Sequence, residues 1–189
     1  MGQYFKGVIL PMDYKENLTE TAEVAETAWH WDNGSKLMEH SYLDNNYVNL
    51  YVYLLSGKYK GYPFVWCGDY ADDIRCHICN KPMDEYNDKT IIPYNFIPLN
   101  RYQKKDVPSV RMRYIFNYDT KQYVDLEKVE GDIHPLPILT CSGNGRGSGD
   151  YHGTDMDKVG IWAYGHIGVG DELPDNKYNE LIVNFVEKY

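Results

Sequence analysis

The sequence predicts an α+β fold: a mostly antiparallel β-sheet with at least one helix packed against it. Three observations carry this. Nineteen tyrosines stand beside five Phe and four Trp, and tyrosine suits half-buried strands, where it offers both a ring face and a hydroxyl. Segment 44–56 sets Tyr47, Val48, Tyr51, Leu54 and Leu55 at helical spacing, which makes one apolar face. Several short apolar runs are separated by turn residues, the signature of strands rather than further helices. With 189 residues and no internal repeat, the chain is read as one domain spanning 1–189.

Taken in order, Gln3 to Leu10 alternates like a strand and stops at Pro11. Asp13 to Asn17 reads as a turn. Thr19 to Trp31 reads as a returning strand, with a short helix over 20–28 as the alternative. Lys36 to Tyr42 either extends the next helix or forms a separate turn. Asp44 is the expected N-cap of helix 44–56, and Gly57 its stop. Pro63 introduces a short apolar strand, Phe64 to Cys67, closed by Gly68, Asp69 and Tyr70. Residues 71–109, with Pro82, Pro93, Pro98 and Pro108, read as a long irregular insertion. Arg111 to Asp125 forms a hairpin around Tyr118 to Lys121. Leu136 to Thr140 is expected as a strand leading into a glycine-rich loop. Val159 to Tyr164 and Leu181 to Val186 are expected as closing strands, the latter with Leu181, Val183 and Phe185 on one face.

The net charge of −9 and pI near 5.1 argue against a duplex nucleic-acid binder, whose affinity rests on Lys and Arg at phosphates. A local basic pocket for one small phosphorylated ligand is still allowed, and an acidic surface also suits a basic protein partner. No apolar run approaches the ~18 residues of a membrane span. The N-terminus lacks the basic start and apolar stretch of a signal peptide. The expected location is cytoplasmic, with cysteines reduced or metal-bound.

The run 143–153 holds five of the sixteen glycines. It lacks the Gly-Lys-Ser/Thr of a P-loop, and its spacing breaks the dinucleotide fingerprint at Ser148 and Asp150. A polar, glycine-lined loop after a strand can still offer backbone N–H groups as an anion nest. Arg146 would clamp a phosphate or carboxylate bidentately, and Asp150 and His152 could act as an acid–base or hydrogen-bonding pair. Asn144, Ser148 and Tyr151 complete the ligand-facing set. The competing reading is a tight loop whose glycines permit close packing, with Arg146 paired to an acidic neighbour. His40, beside Glu39, and Asp69, at a strand end, are further binding candidates.

Cys76 and Cys79 form a C-x-x-C, half of a zinc knuckle. Structural zinc needs four ligands, and the remainder would come from Cys67, Cys141, His30, His40 or His134. Structural zinc pinning the insertion, a free redox-labile pair and a disulfide are all open readings.

Six strings in order resemble a family of uncharacterised bacterial and phage proteins: MGQYFK at 1–6, KLMEHS at 36–41, VWCGDYAD at 65–72, RYIFNYDTKQYVD at 113–125, HPLPIL at 134–139 and GNGRGSGDY at 143–151. They are spread in order along the chain apart from 73–110. The resemblance implies a single soluble domain, in the host cytoplasm if phage-encoded, and carries over no catalytic residue. The family pattern has Ala where Cys67 stands, which weakens Cys67 as an essential ligand.

Together these readings favour a binding protein for a small anionic ligand, a nucleotide among the candidates, held by the 143–153 loop. In a phage setting it could sequester a nucleotide signal of host defence. The alternatives are an acidic protein–protein interaction or inhibitor module, and a nucleotide hydrolase or transferase.

Overall fold

Five consecutive buried residues make Phe5–Ile9 the first strand, β1. Such a run needs cover on both faces, unlike the one-sided alternation expected from sequence. The computed structural model, which describes residues 3–16, 26–27, 35–72, 74, 91–95, 107–144 and 149–188, shows how this is met. β1 pairs antiparallel with β2 (Glu26–Thr27) on one edge and β3 (Tyr62–Gly68) on the other. Two short helices lie between, α1 (Leu37–His40) and α2 (Asn46–Ser56). The hairpin β4 (Tyr114–Asn117) and β5 (Gln122–Asp125) follows, then α3 (Pro135–Thr140) and β6 (Cys141–Ser142). β7 (His166–Gly170) and β8 (Asn179–Glu180) complete the set.

The sheet runs β2-β1-β3-β7-β4-β5-β8, with β6 beside β3. Its pairs are antiparallel except β3 with β6 and β5 with β8. One edge of β3 is therefore shared. Tyr62 and Pro63 face β7, while Trp66 and Cys67 face β6.

Alternation along β1 and β3 feeds two cores. Phe5, Ile9, Phe64 and Trp66 join the larger cluster with α2. Val8, Leu10, Val65 and Cys67 join Tyr14, Ile74, Ile91 and Tyr164 on the opposite face. Each large apolar side chain so buried contributes roughly 1.5–3 kcal/mol relative to exposure. Gly7 carries no Cβ because the Tyr51 ring occupies that space, 2.6 Å from where a Cβ would sit, and the Tyr51 hydroxyl donates to the Gly7 carbonyl at 2.6 Å. The described part of the insertion, one 3₁₀ turn at Pro93–Asn95 and the residues before it, helps cover the second core.

Several elements differ from expectation. Asp44 does not cap α2: it takes a left-handed φ of 63°, and Asn45 accepts the Tyr47 N–H at 2.8 Å instead. Leu136 to Thr140 is helical, not extended. His134 caps it through the Leu136 N–H (3.1 Å), Pro135 opens its first turn, and the Thr140 hydroxyl donates back to the Leu136 carbonyl. Pro at the first helical position is preorganised for a helix and gives up only an orphan N–H. Val159 to Tyr164 is a series of turns, with Gly160 and Tyr164 at φ of 72° and 64°, and the strand starts after it at His166. Leu181 to Val186 forms no strand and lies beyond the ladder of β8. Its alternation holds, with Val183 and Phe185 buried and Ile182 and Val186 exposed. Among the described residues no helix is long and apolar enough to cross a membrane.

Candidate functional site

Because β3 and β6 are parallel and in register, their carboxyl ends open onto the same edge of the sheet. Gly68, Asp69 and Tyr70 leave β3 there, and Gly143 and Asn144 leave β6. β1 runs the other way, so Gln3 and Tyr4 start at that same edge.

Gln3 holds this edge together. Its amide lies between the α-carbons of Gly68 and Gly143, and a Cβ at either would collide with it. Its Oε1 accepts the Asn144 N–H at 3.2 Å, which fixes the orientation of the amide and leaves Nε2 as the donor end. That Nε2 is buried and has no partner among the described residues. Asp69 fixes the neighbouring residue, accepting the Tyr4 N–H at 3.0 Å while its own N–H donates to the Tyr4 carbonyl at 2.9 Å.

The far wall is the start of α1. Ser35 is tied to β1, its carbonyl accepting the Phe5 N–H at 2.9 Å. Glu39 reaches back to accept the Lys36 N–H at 2.8 Å, and Asp150 accepts the Met38 N–H at 3.0 Å. Two of the orphan donors at this helix start are thus met, one locally and one from across the chain. Gly149 brings the loop into place with φ of 60°. A Cβ there would sit 2.6 Å from the Phe5 ring. Two residues on, Tyr151 anchors the loop in the core. Its ring stands edge-on to Phe185 at 5.8 Å, and its hydroxyl donates to the Thr154 carbonyl at 2.6 Å.

Between these walls lies a cleft of about 520 Å³ lined by Gln3, Lys36, Tyr70, Asn144, Gly149, Asp150 and His152. Of the sequence-predicted residues, Asn144, Asp150 and His152 come together here, and Asp69 braces the edge. His152 is exposed, and among the described residues its ring makes no hydrogen bond with Asp150. Tyr151 and His40 are core residues. His40 is 1% exposed, stacks on Trp66 at 5.3 Å, and its Nε2 accepts the Trp66 indole N–H at 2.7 Å. Arg146 and Ser148 lie outside the described residues, as do Cys76 and Cys79. The other two thiols, Cys67 and Cys141, are buried and pushed up to about 12 by that burial. They donate to the Gly68 and Ile138 carbonyls.

Sequence reading missed Gln3, Lys36 and Tyr70. No local pattern marks any of the three as a cleft residue, because their meeting depends on strand register. The cleft gathers an ammonium, an imidazole, two amides and a phenol around one carboxylate, of which one oxygen is already engaged. Such a set can hold an anion by hydrogen bonds and charge. No protein-family model matches this chain, and searches of the curated proteins and of the solved structures return no match.

Proposed function

We propose that this protein binds a small anionic ligand, of the size and chemistry of a nucleotide, in the cleft that Asn144, Asp150 and His152 of the 143–153 run help to line. The observation that supports this best is convergence. Four segments distant in sequence bring Gln3, Lys36, Tyr70 and Asn144 to one opening at the ends of two parallel strands. The volume, about 520 Å³, falls within the usual range for small-molecule sites. Lys36 supplies positive charge, His152 a ring nitrogen for hydrogen bonding, Gln3 Nε2 a donor unused among the described residues, and Tyr70, 53% exposed, a ring on which a base can stack. Arg146, which lies outside the described residues between Asn144 and Gly149 in sequence, serves as anion clamp in this reading. The hydrolase or transferase alternative has less support, since Asp150 spends an oxygen on Met38 rather than on His152.

The test is thermal denaturation against a panel of nucleoside mono-, di- and triphosphates, with the parent nucleosides beside them. A ligand at a hundredfold excess over its Kd adds about 2.7 kcal/mol, which raises Tm by roughly 5–10 °C in a chain of this size. Lys36→Ala and Arg146→Ala should each weaken binding about tenfold or more, the loss of one charge-assisted hydrogen bond. Absence of stabilisation across the panel, or equal stabilisation by the uncharged nucleosides, refutes the proposal.

A further inference from the structure

A second cleft, of about 440 Å³, lies between the first half of α2, the irregular segment leading into β4 and the turn after β5. Leu43, Val52, Val110, Met112 and Leu126 give it apolar walls, and His134 stands in its lining. His134 is only 4% exposed. Its Nδ1 accepts the Leu136 N–H at 3.1 Å, so the ring proton is on Nε2. That Nε2–H makes no hydrogen bond with any described residue. A donor that lines a cleft and has no partner among the described residues can be taken by an acceptor that a ligand brings in. Burial also pushes His134 down to about 4, so at neutral pH the ring offers one N–H and no charge.

The rim does not favour an anion. Arg113 is already committed, with Nη2 2.9 Å from Asp125 and Nε 3.4 Å from Glu127. Arg111 meets Asp44 only at 3.8 Å, both side chains being exposed, so this pair is weak. Asp44, Glu127 and Asp171 together outnumber the two guanidiniums. The chemistry is thus apolar walls, one neutral donor and a slightly negative rim.

We infer that this cleft binds a neutral small molecule with an apolar body and a carbonyl group, the carbonyl accepting from His134 Nε2–H. The site is separate from the anion cleft and does not depend on it. Acetanilide is a suitable probe, with ethylbenzene as the counterpart lacking an acceptor and phenylacetate as the anionic counterpart. In protein labelled with ¹⁵N-histidine, acetanilide should move the His134 Nε2–H resonance saturably. It should bind about tenfold or more tighter than either counterpart, because a site built around a donor rejects ligands that leave the donor unpaired. Met112→Trp, which fills the cleft from a half-buried wall, should abolish the effect, and Leu43→Trp serves if that variant does not fold. The inference is overturned by any of three results: no saturable shift up to the solubility limit, equal or tighter binding of ethylbenzene or phenylacetate, or survival of the effect in the filled variant.

Discussion

Acidification from about pH 7 to about pH 4.5 should destabilise the fold through His134. This imidazole is held at about 4 by burial, against an ordinary value of 6.5. Between those two pH values the unfolded chain takes up a proton that the folded chain refuses, so stability falls as pH falls. Above 6.5 there is no penalty. The loss grows by roughly 1.4 kcal/mol per pH unit and levels off near 3 kcal/mol once the pH drops below about 4. In a chain of this length that is a Tm decrease of roughly 6–12 °C. The carboxylates act in a lower window. Burial pushes Asp125 up, but its bonds to Arg113 and the Glu127 N–H outweigh this and hold it below 3.8. Asp155 is likewise pushed up by burial and pulled below 3.8 by the Asn184 N–H and Lys158. Their contributions are present above the ordinary carboxylate value and are lost only below it. Urea unfolding followed by tryptophan fluorescence across this range, on wild type and His134→Asn, isolates the imidazole. Asparagine keeps an acceptor for the Leu136 N–H but does not titrate. The wild type should lose roughly 2–3 kcal/mol more than the variant over the same interval. Parallel stability curves for the two proteins would falsify the account of His134 as a buried neutral ring.

Asp150→Ala should cost about 1 kcal/mol and speed amide exchange at Met38, because it removes the 3.0 Å acceptor at the start of α1; Asp150→Asn, which keeps an oxygen there, should recover most of the loss, and unchanged Met38 exchange in the alanine variant would count against the capping role. His40→Ala should cost roughly 3–5 kcal/mol in urea unfolding, since it strands the buried Trp66 indole N–H and empties the ring space beside it. A loss under about 1 kcal/mol would show that the Trp66–His40 pair is not a core element.

The parts of the fold that were legible are those whose information is local. Helix α2 shows in the spacing of Tyr47, Val48, Tyr51, Leu54 and Leu55, all buried in the structure. The β4–β5 hairpin shows in its alternation and in the turn 118–121. Helix α3 was misread because a four-residue apolar run, Leu136 to Leu139, has no period that separates strand from helix. Its start signal, a capping side chain followed by Pro135, was nevertheless present in the chain. The cleft was half legible. Glycine density pointed to Asn144, Asp150 and His152. Nothing near Gln3, Lys36 or Tyr70 tells that they share a cleft with them, because that depends on the register of β1 against β3 and of β3 against β6.

The shared edge of β3 has a consequence for how the chain reaches this state. Its neighbours arrive late: β6 lies roughly 75 residues downstream and β7 roughly a hundred. Until His166 and Ile167 have been made and have found their places, the first half of β3 exposes backbone groups that only β7 can match. The ladder at the centre of the sheet is therefore among the last to close. Loops of that length are slow to bring together, and while they are open the apolar run Phe64 to Cys67 is an unpaired edge of the kind that recruits other chains. Pro63 sits at the mouth of this edge without an N–H to offer, which shortens the stretch a stray strand could join.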